Sequence, residues 1–168
     1  MIAFEPLRKE DLSLLREWLG REHVRPWWRD DLEESLREYE QAIAGLDPTD
    51  HYLILVKDRP VGMIETYLVE KHPEWEAIVQ VGEGVAGVDL LIGEPDLIGA
   101  GLGPRVLAEF AEKVVFARPE THACIAAVDE ANRRSWRAFE KAGFRYVRDV
   151  EEDGLPHRLM RLDRRYPP

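Results

Sequence analysis

Val85-Ala86-Gly87-Val88-Asp89-Leu90-Leu91-Ile92 is an apolar run broken by one carboxylate, and it leads through Gly93-Glu94-Pro95 into Gly99-Ala100-Gly101-Leu102-Gly103. The run has the length and β-branched content of a buried strand. After the glycines, Leu102, Val106, Phe110 and Val114 fall four apart, on one face of a helix predicted over 102–116. Strand, glycine turn and helix together suit an anion site, with a plain tight turn as the alternative. Glycines lack the Cβ that would hold an anion off the backbone N–H groups, and a helix N-terminus adds unpaired donors and a positive dipole end. A pyrophosphate fits such a turn. No Gly-Lys-Ser/Thr follows, so this is not a Walker loop, and the glycine spacing is not that of a dinucleotide fingerprint.

Working outward, Ile2 to Pro6 reads as a first strand, and Arg8 to Leu19 as a helix carrying Leu12, Leu15, Trp18 and Leu19 at helical spacing. Pro26-Trp27-Trp28 breaks it. Asp30 or Asp31 can cap a second helix that runs to about Ala44. Tyr52 to Lys57 and Val61 to Val69 form a hairpin around Asp58-Arg59, and Lys71 to Gly84 reads as an irregular loop. Beyond the glycine turn come a strand from His122 to Val128, a helix from Asn132 to Ala142 ended by Gly143, and two strands, 144–150 and 157–162, around Asp153-Gly154. This order predicts one α/β domain over residues 1–168, with a mixed, largely antiparallel central sheet, flanking helices and one crossover.

The 168 residues are 45% apolar and 33% charged, with a formal net charge of −10. That charge disfavours nucleic acid or an anionic membrane as partner; it would steer in a cationic one, and it also simply keeps a protein soluble. A single cysteine, Cys124, lies in an apolar stretch and is expected in the core. The five histidines show no metal-ligand spacing, and no apolar run is long enough to span a membrane. Met1 to Leu7 lacks the basic-then-apolar order of a signal peptide, so the cytoplasm is the expected location.

A second motif, Asn132-Arg133-Arg134-Ser135-Trp136-Arg137-Ala138-Phe139-Glu140-Lys141-Ala142-Gly143-Phe144, follows the glycine turn by about thirty residues. Taken together, the two segments resemble the GNAT superfamily of acyl-CoA-dependent N-acyltransferases. The resemblance implies the GNAT fold, with acetyl-CoA as acyl-donor cosubstrate. It implies that the amides of Gly99, Ala100, Gly101, Leu102 and Gly103 hold the pyrophosphate, that main-chain groups of Leu90, Leu91 and Ile92 meet the pantetheine arm, and that Asn132 contacts the coenzyme. Two positions depart from the pattern: Ile98 stands where Arg or Gln is usual, and Phe139 where a general-acid tyrosine is common.

Gly87 to Pro95, together with Glu17-Trp18-Leu19, His23, Trp27-Trp28 and the hairpin over 52–67, is similar to a narrower group, the aminoglycoside 6'-N-acetyltransferases. That resemblance implies that Trp28 and Asp89 line the acceptor site. A further family Asp falls at Ala127, and Asp129, two residues on, is the candidate replacement. Asp89 is also supported by chemistry. An alkyl ammonium with a pKa of about 10 must lose a proton before it attacks a thioester, and a carboxylate beside it can both anchor it and take the proton. A charge inside an apolar strand is costly unless it has such a task or a partner. Glu65, Glu83 and Glu94 are further candidates for an acidic pocket. The expected partner is a small cationic amine; a homodimer is compatible with the resemblance. The Leu155–Met160 tail also resembles siderophore-biosynthesis acyltransferases, which acylate a lysine-type amine, and a non-catalytic acyl-CoA-binding protein is the alternative of another class.

Overall fold

The computed structural model describes residues 1–165. In chain order these form β1 (Ile2–Pro6), α1 (Leu12–Leu19), α2 (Leu32–Ile43), β2 (Thr49–Val56), β3 (Arg59–Leu68), α3 (Pro73–Val79), β4 (Val85–Ile92), α4 (Leu102–Phe110), β5 (Ala123–Asp129), α5 (Arg133–Lys141), β6 (Arg145–Glu152) and β7 (Leu155–Asp163). The strands make a seven-stranded sheet in the order β1-β2-β3-β4-β5-β7-β6. β1 pairs antiparallel with β2, and β7 antiparallel with both β5 and β6. The parallel pairing of β4 with β5, Val85 opposite Ala123 to Gly87 opposite Ile125, is the expected crossover, spanned by α4.

The chain divides into two compact units. One comprises residues 1–66 with 89–100, the other residues 67–88 with the chain from Gly101 onward. The first has a core in which Leu15 and Trp18 of α1 and Leu36 and Tyr39 of α2 pack with Met63 and Leu91. The second is built around Val69, Val79, Val85, Ile125 and Leu159. Cys124 is fully buried, as its apolar neighbours predict.

Local signals are met where the responsible chemistry is local. Asp31 caps α2, its carboxylate accepting the Glu34 N–H at 3.1 Å, with Glu33 and Glu34 in the first turn. Asp153 (φ 53°) and Gly154 (φ 76°) turn the last hairpin. Three expectations are corrected. The stretch from Lys71 to Gly84 is not a loop. Pro73 occupies the first turn of α3, where its missing N–H costs nothing, and Val79 is fully buried. The first hairpin turns at Lys57-Asp58, both with positive φ, rather than at Asp58-Arg59. Finally, α4 continues as a π-helical turn over Ala111–Val115. Its wider step moves the buried position from Val114 to Val115.

Candidate active site

The end of β4 is gripped from several sides. Gly93 carries no side chain because the Trp18 ring lies against it; a Cβ there would fall 2.2 Å from the indole Cγ. The Trp18 Nε1–H donates to Glu94 Oε1 at 3.1 Å. Arg21 donates to the Gly93 carbonyl at 2.7 Å and to Glu94 Oε2 at 3.0 Å, and Arg59 approaches the same carboxylate at 3.4 Å. His23 Nε2 lies 2.9 Å from the Ile92 carbonyl oxygen. Burial alone would raise the Glu94 pKa, but the Trp18 hydrogen bond and the two guanidinium groups outweigh it and hold the carboxyl below its ordinary range. Glu94 is therefore a structural anion saturated by its neighbours, which corrects its place among candidate acceptor carboxylates. The grip fixes the main chain at Ile92 and Gly93, where the segment expected to meet the pantetheine arm ends.

An acidic cluster gathers in the same unit. Tyr39 of α2 is 5% exposed, and its phenol is pushed far above its ordinary pKa by burial and then by Glu65, Glu38, Asp30 and Asp89. Glu38 is held above the ordinary carboxylate range by partial burial and by repulsion from Asp30, Glu34, Asp47 and Glu65. The Tyr39 phenol thus lies within reach of several carboxylates, Asp89 among them. Trp28 is half-buried against the core, and it lines a shallow cleft with Leu19, Asp30, Leu32 and Ser35. Trp27 is 38% exposed, with the Arg29 guanidinium 5.9 Å from its ring centre. Trp28, Asp30 and Asp89 thus belong to one unit, and Asp30 and Asp89 both act on the Tyr39 phenol. Sequence reasoning did not place Tyr39 and Glu38 in this cluster. Read from the sequence, Tyr39 is an ordinary apolar position of an amphipathic helix and Glu38 an ordinary solvated charge.

Gly99 (φ +79°) and Gly101 (φ +77°) both need the left-handed region, and a Cβ at either would meet nothing within 4 Å. Backbone conformation, not crowding, therefore requires glycine there, and the approach to the turn is open. Gly103 differs: its hydrogen stands where a Cβ would lie 3.4 Å from the Ala138 Cβ, so it lets α4 and α5 pack closely. The N–H groups of Leu102 and Gly103, at the first two positions of α4, have no acceptor within the helix. Pro104, at the third, offers none.

Asn132 caps α5, its side-chain oxygen 3.4 Å from the Ser135 N–H, so the donors it can offer a ligand are on its amide nitrogen. The Asp129 carboxylate accepts the Ala131 N–H at 2.9 Å and shapes the turn into α5. Both residues belong to the second unit. Phe139 is 2% exposed and stacks edge-on against Phe144, with ring centres 5.0 Å apart, as a core residue. Among the described residues there is no helix long and apolar enough to cross a membrane, and no group of His, Cys, Asp and Glu placed to hold a metal ion.

The chain belongs to the GNAT acetyltransferase family, whose domain model, described as "Acetyltransferase (GNAT) domain", matches residues 8–152. It is 28% identical over 150 residues to aminoglycoside N(6')-acetyltransferase type 1 of Klebsiella pneumoniae, covering 85% of this chain and 73% of that protein. Crystal structures of aminoglycoside acetyltransferase AAC(6')-Ib superpose on it with a TM-score of 0.88 at 26% identity, over 98% of this chain and 95% of the other. One of those holds coenzyme A, and another coenzyme A and kanamycin.

Proposed function

We propose that this chain transfers the acetyl group of acetyl-CoA to a primary amine of an aminoglycoside-like polycation. The observation that carries the proposal is Asp89 in the acidic field around Tyr39, and the likeness to aminoglycoside 6'-N-acetyltransferases supports it. That likeness favours an aminosugar over a lysine-type amine and over a non-catalytic binder. The partner is then a small cation rather than nucleic acid, and the reaction belongs in the cytoplasm, where it would confer resistance to the antibiotic.

In this mechanism the amides of Gly99, Ala100, Gly101, Leu102 and Gly103 cradle the pyrophosphate, and the Asn132 side-chain amide donates to the coenzyme. Trp28 and Asp89 orient the acceptor. Asp89 accepts one proton from the ammonium, directly or through water, and the freed nitrogen lone pair attacks the thioester carbonyl carbon. The carbonyl oxygen gains charge and is met by main-chain N–H groups around Leu91. The C–S bond then breaks, and the nitrogen, cationic after the attack, gives its second proton to solvent to leave the neutral amide. Phe139 is packed in the core and has no proton to give; the sulfur leaves as thiolate and is protonated from solvent. Transfer is direct, because buried Cys124 offers no nucleophile to the thioester. We give Asp129 the role of holding the turn into α5.

Asp89→Asn tests the assignment by keeping the shape while removing charge and base. With kanamycin as acceptor and free thiol release as readout, kcat/KM is expected to fall by roughly two to four orders of magnitude. Acetyl-CoA affinity should hold, and raising the pH should recover part of the rate. A variant with wild-type turnover per folded molecule and a lowered melting temperature would make Asp89 purely structural.

A further inference from the structure

The acidic cluster contains one pair that the acyl-transfer mechanism leaves unused. His51 of β2 and Glu65 of β3 meet at 3.1 Å, with side chains only 6% and 15% exposed. The imidazole packs edge-on against the Tyr39 ring, centres 4.9 Å apart, and its Nδ1 is buried without a hydrogen-bond partner. An orphaned polar atom of this kind costs about 1–3 kcal/mol. An apolar residue would fill the same space without that cost, so packing does not account for the histidine. What the imidazole does is hold the Glu65 carboxylate through Nε2.

Glu65 also faces Asp89. β3 and β4 are neighbours in the sheet, and side chains alternate along a strand, so residues two apart share a face. Met63 and Leu91 pack in one cluster with Leu36 and Tyr39 of α2, which puts residues 63 and 91, and with them 65 and 89, on the face toward α2. Tyr67 lying over Gly87, two residues further along each strand, continues the same alternation. The Tyr39 phenol independently feels both carboxylates. Two acidic residues on one face of neighbouring strands repel each other. The arrangement becomes favourable when cations lie against it.

We propose that Glu65, held by His51, is a second ammonium-anchoring carboxylate of the acceptor site, and that it selects acceptors carrying another cationic group beside the reacting amine. The proposal rests on the aminosugar-acceptor reading given above. Asp89 serves the amine that reacts; Glu65 contacts its neighbour; His51 is a positioning residue that acts through Glu65.

The test compares kanamycin with 6-amino-6-deoxyglucose, which carries a single amine. Each is measured by calorimetric affinity and by KM and kcat from thiol release. Glu65→Gln should raise the Kd and KM for kanamycin about tenfold or more, the loss of one charge-assisted contact. Its kcat and its affinity for the monoamine should stay within about twofold of wild type. His51→Ala should reproduce that loss of selectivity, and His51→Gln, whose amide N–H can still donate to Glu65, should restore most of it. Equal losses for both acceptors, or no loss, would overturn the proposal, as would a wild type that binds the two probes alike. A His51→Ala variant with a lower melting temperature and unchanged selectivity would leave the imidazole a packing role and refute its positioning. A wild type that binds kanamycin selectively without releasing thiol would refute acetyl transfer to that acceptor, while the calorimetric comparison would still decide the role of Glu65.

Discussion

Replacing Gly93 with alanine drives a methyl group into the face of Trp18. The alanine Cβ would sit 2.2 Å from the indole Cγ and 2.3 Å from Cδ1 and Cδ2. These are distances that real Cβ atoms do not tolerate, and Trp18 is fully buried, so the ring has no solvent to retreat into. Gly93 does not use the left-handed region, so the cost is steric rather than conformational. Overpacking a close-packed core costs about 1–3 kcal/mol. Shifting the ring also breaks the Trp18–Glu94 hydrogen bond, and bonds to charged groups are worth about 1.5–3 kcal/mol. Together the loss comes to about 2.5–6 kcal/mol. For a domain of this size that lowers the melting temperature by about 5–24 °C. The activity should fall further than stability explains, because the backbone held by Arg21 at Gly93 and by His23 at Ile92 is the stretch assigned to the cosubstrate. The assays are thermal unfolding by circular dichroism and kcat/KM for kanamycin, both well below the new midpoint. Trp18→Phe, which gives the methyl more room, should make the double variant less unstable than the two single losses added together. A Gly93→Ala variant melting within about 2 °C of wild type would refute the clash and the rigid grip on β4 with it.

The other consequences can be checked on the same protein. Gly101→Asp should fold, since a Cβ there meets nothing within 4 Å and Asp is among the residues that tolerate the left-handed region best. Its carboxylate would occupy the helix N-terminus, so acetyl-CoA affinity measured by calorimetry should fall by about tenfold or more, and unchanged affinity would remove the turn from the site. Glu94→Gln should lower the melting temperature at neutral pH by about 3 °C, on the order of one partly exposed ion pair. Because the folded-state pKa of Glu94 is depressed, its contribution is present above the ordinary carboxylate range and is lost as pH falls through the folded value. The gap between wild type and Glu94→Gln should therefore close in acid, and a gap independent of pH would contradict the ion-pair account.

What the sequence determined by itself is whatever depends on near neighbours. Side-chain periodicity assigned most strands and helices, because the periods of two and 3.6 residues are properties of the local backbone. A cap at Asp30 or Asp31, Asp153-Gly154 as a hairpin turn and the glycines at 99 and 101 were legible for the same reason: each demand is made by dihedral angles within a few residues. Where one residue serves two local purposes, the sequence was ambiguous. Pro73 both ends and begins helices, and α3 was read as a loop. The π turn at the end of α4 leaves no mark in spacing until the buried face is known. The tertiary structure alone decided which charges matter. Glu94 looked like a member of the acceptor pocket until Trp18, 76 residues away, and Arg21 and Arg59 were found on it. His51 and Glu65 became a pair, and Tyr39 the common neighbour of Glu38, Glu65 and Asp89, only once α2, β2, β3 and β4 were packed. A carboxylate's role is set by the charges and the solvent within a few ångströms of it, and folding brings those together from distant parts of the chain.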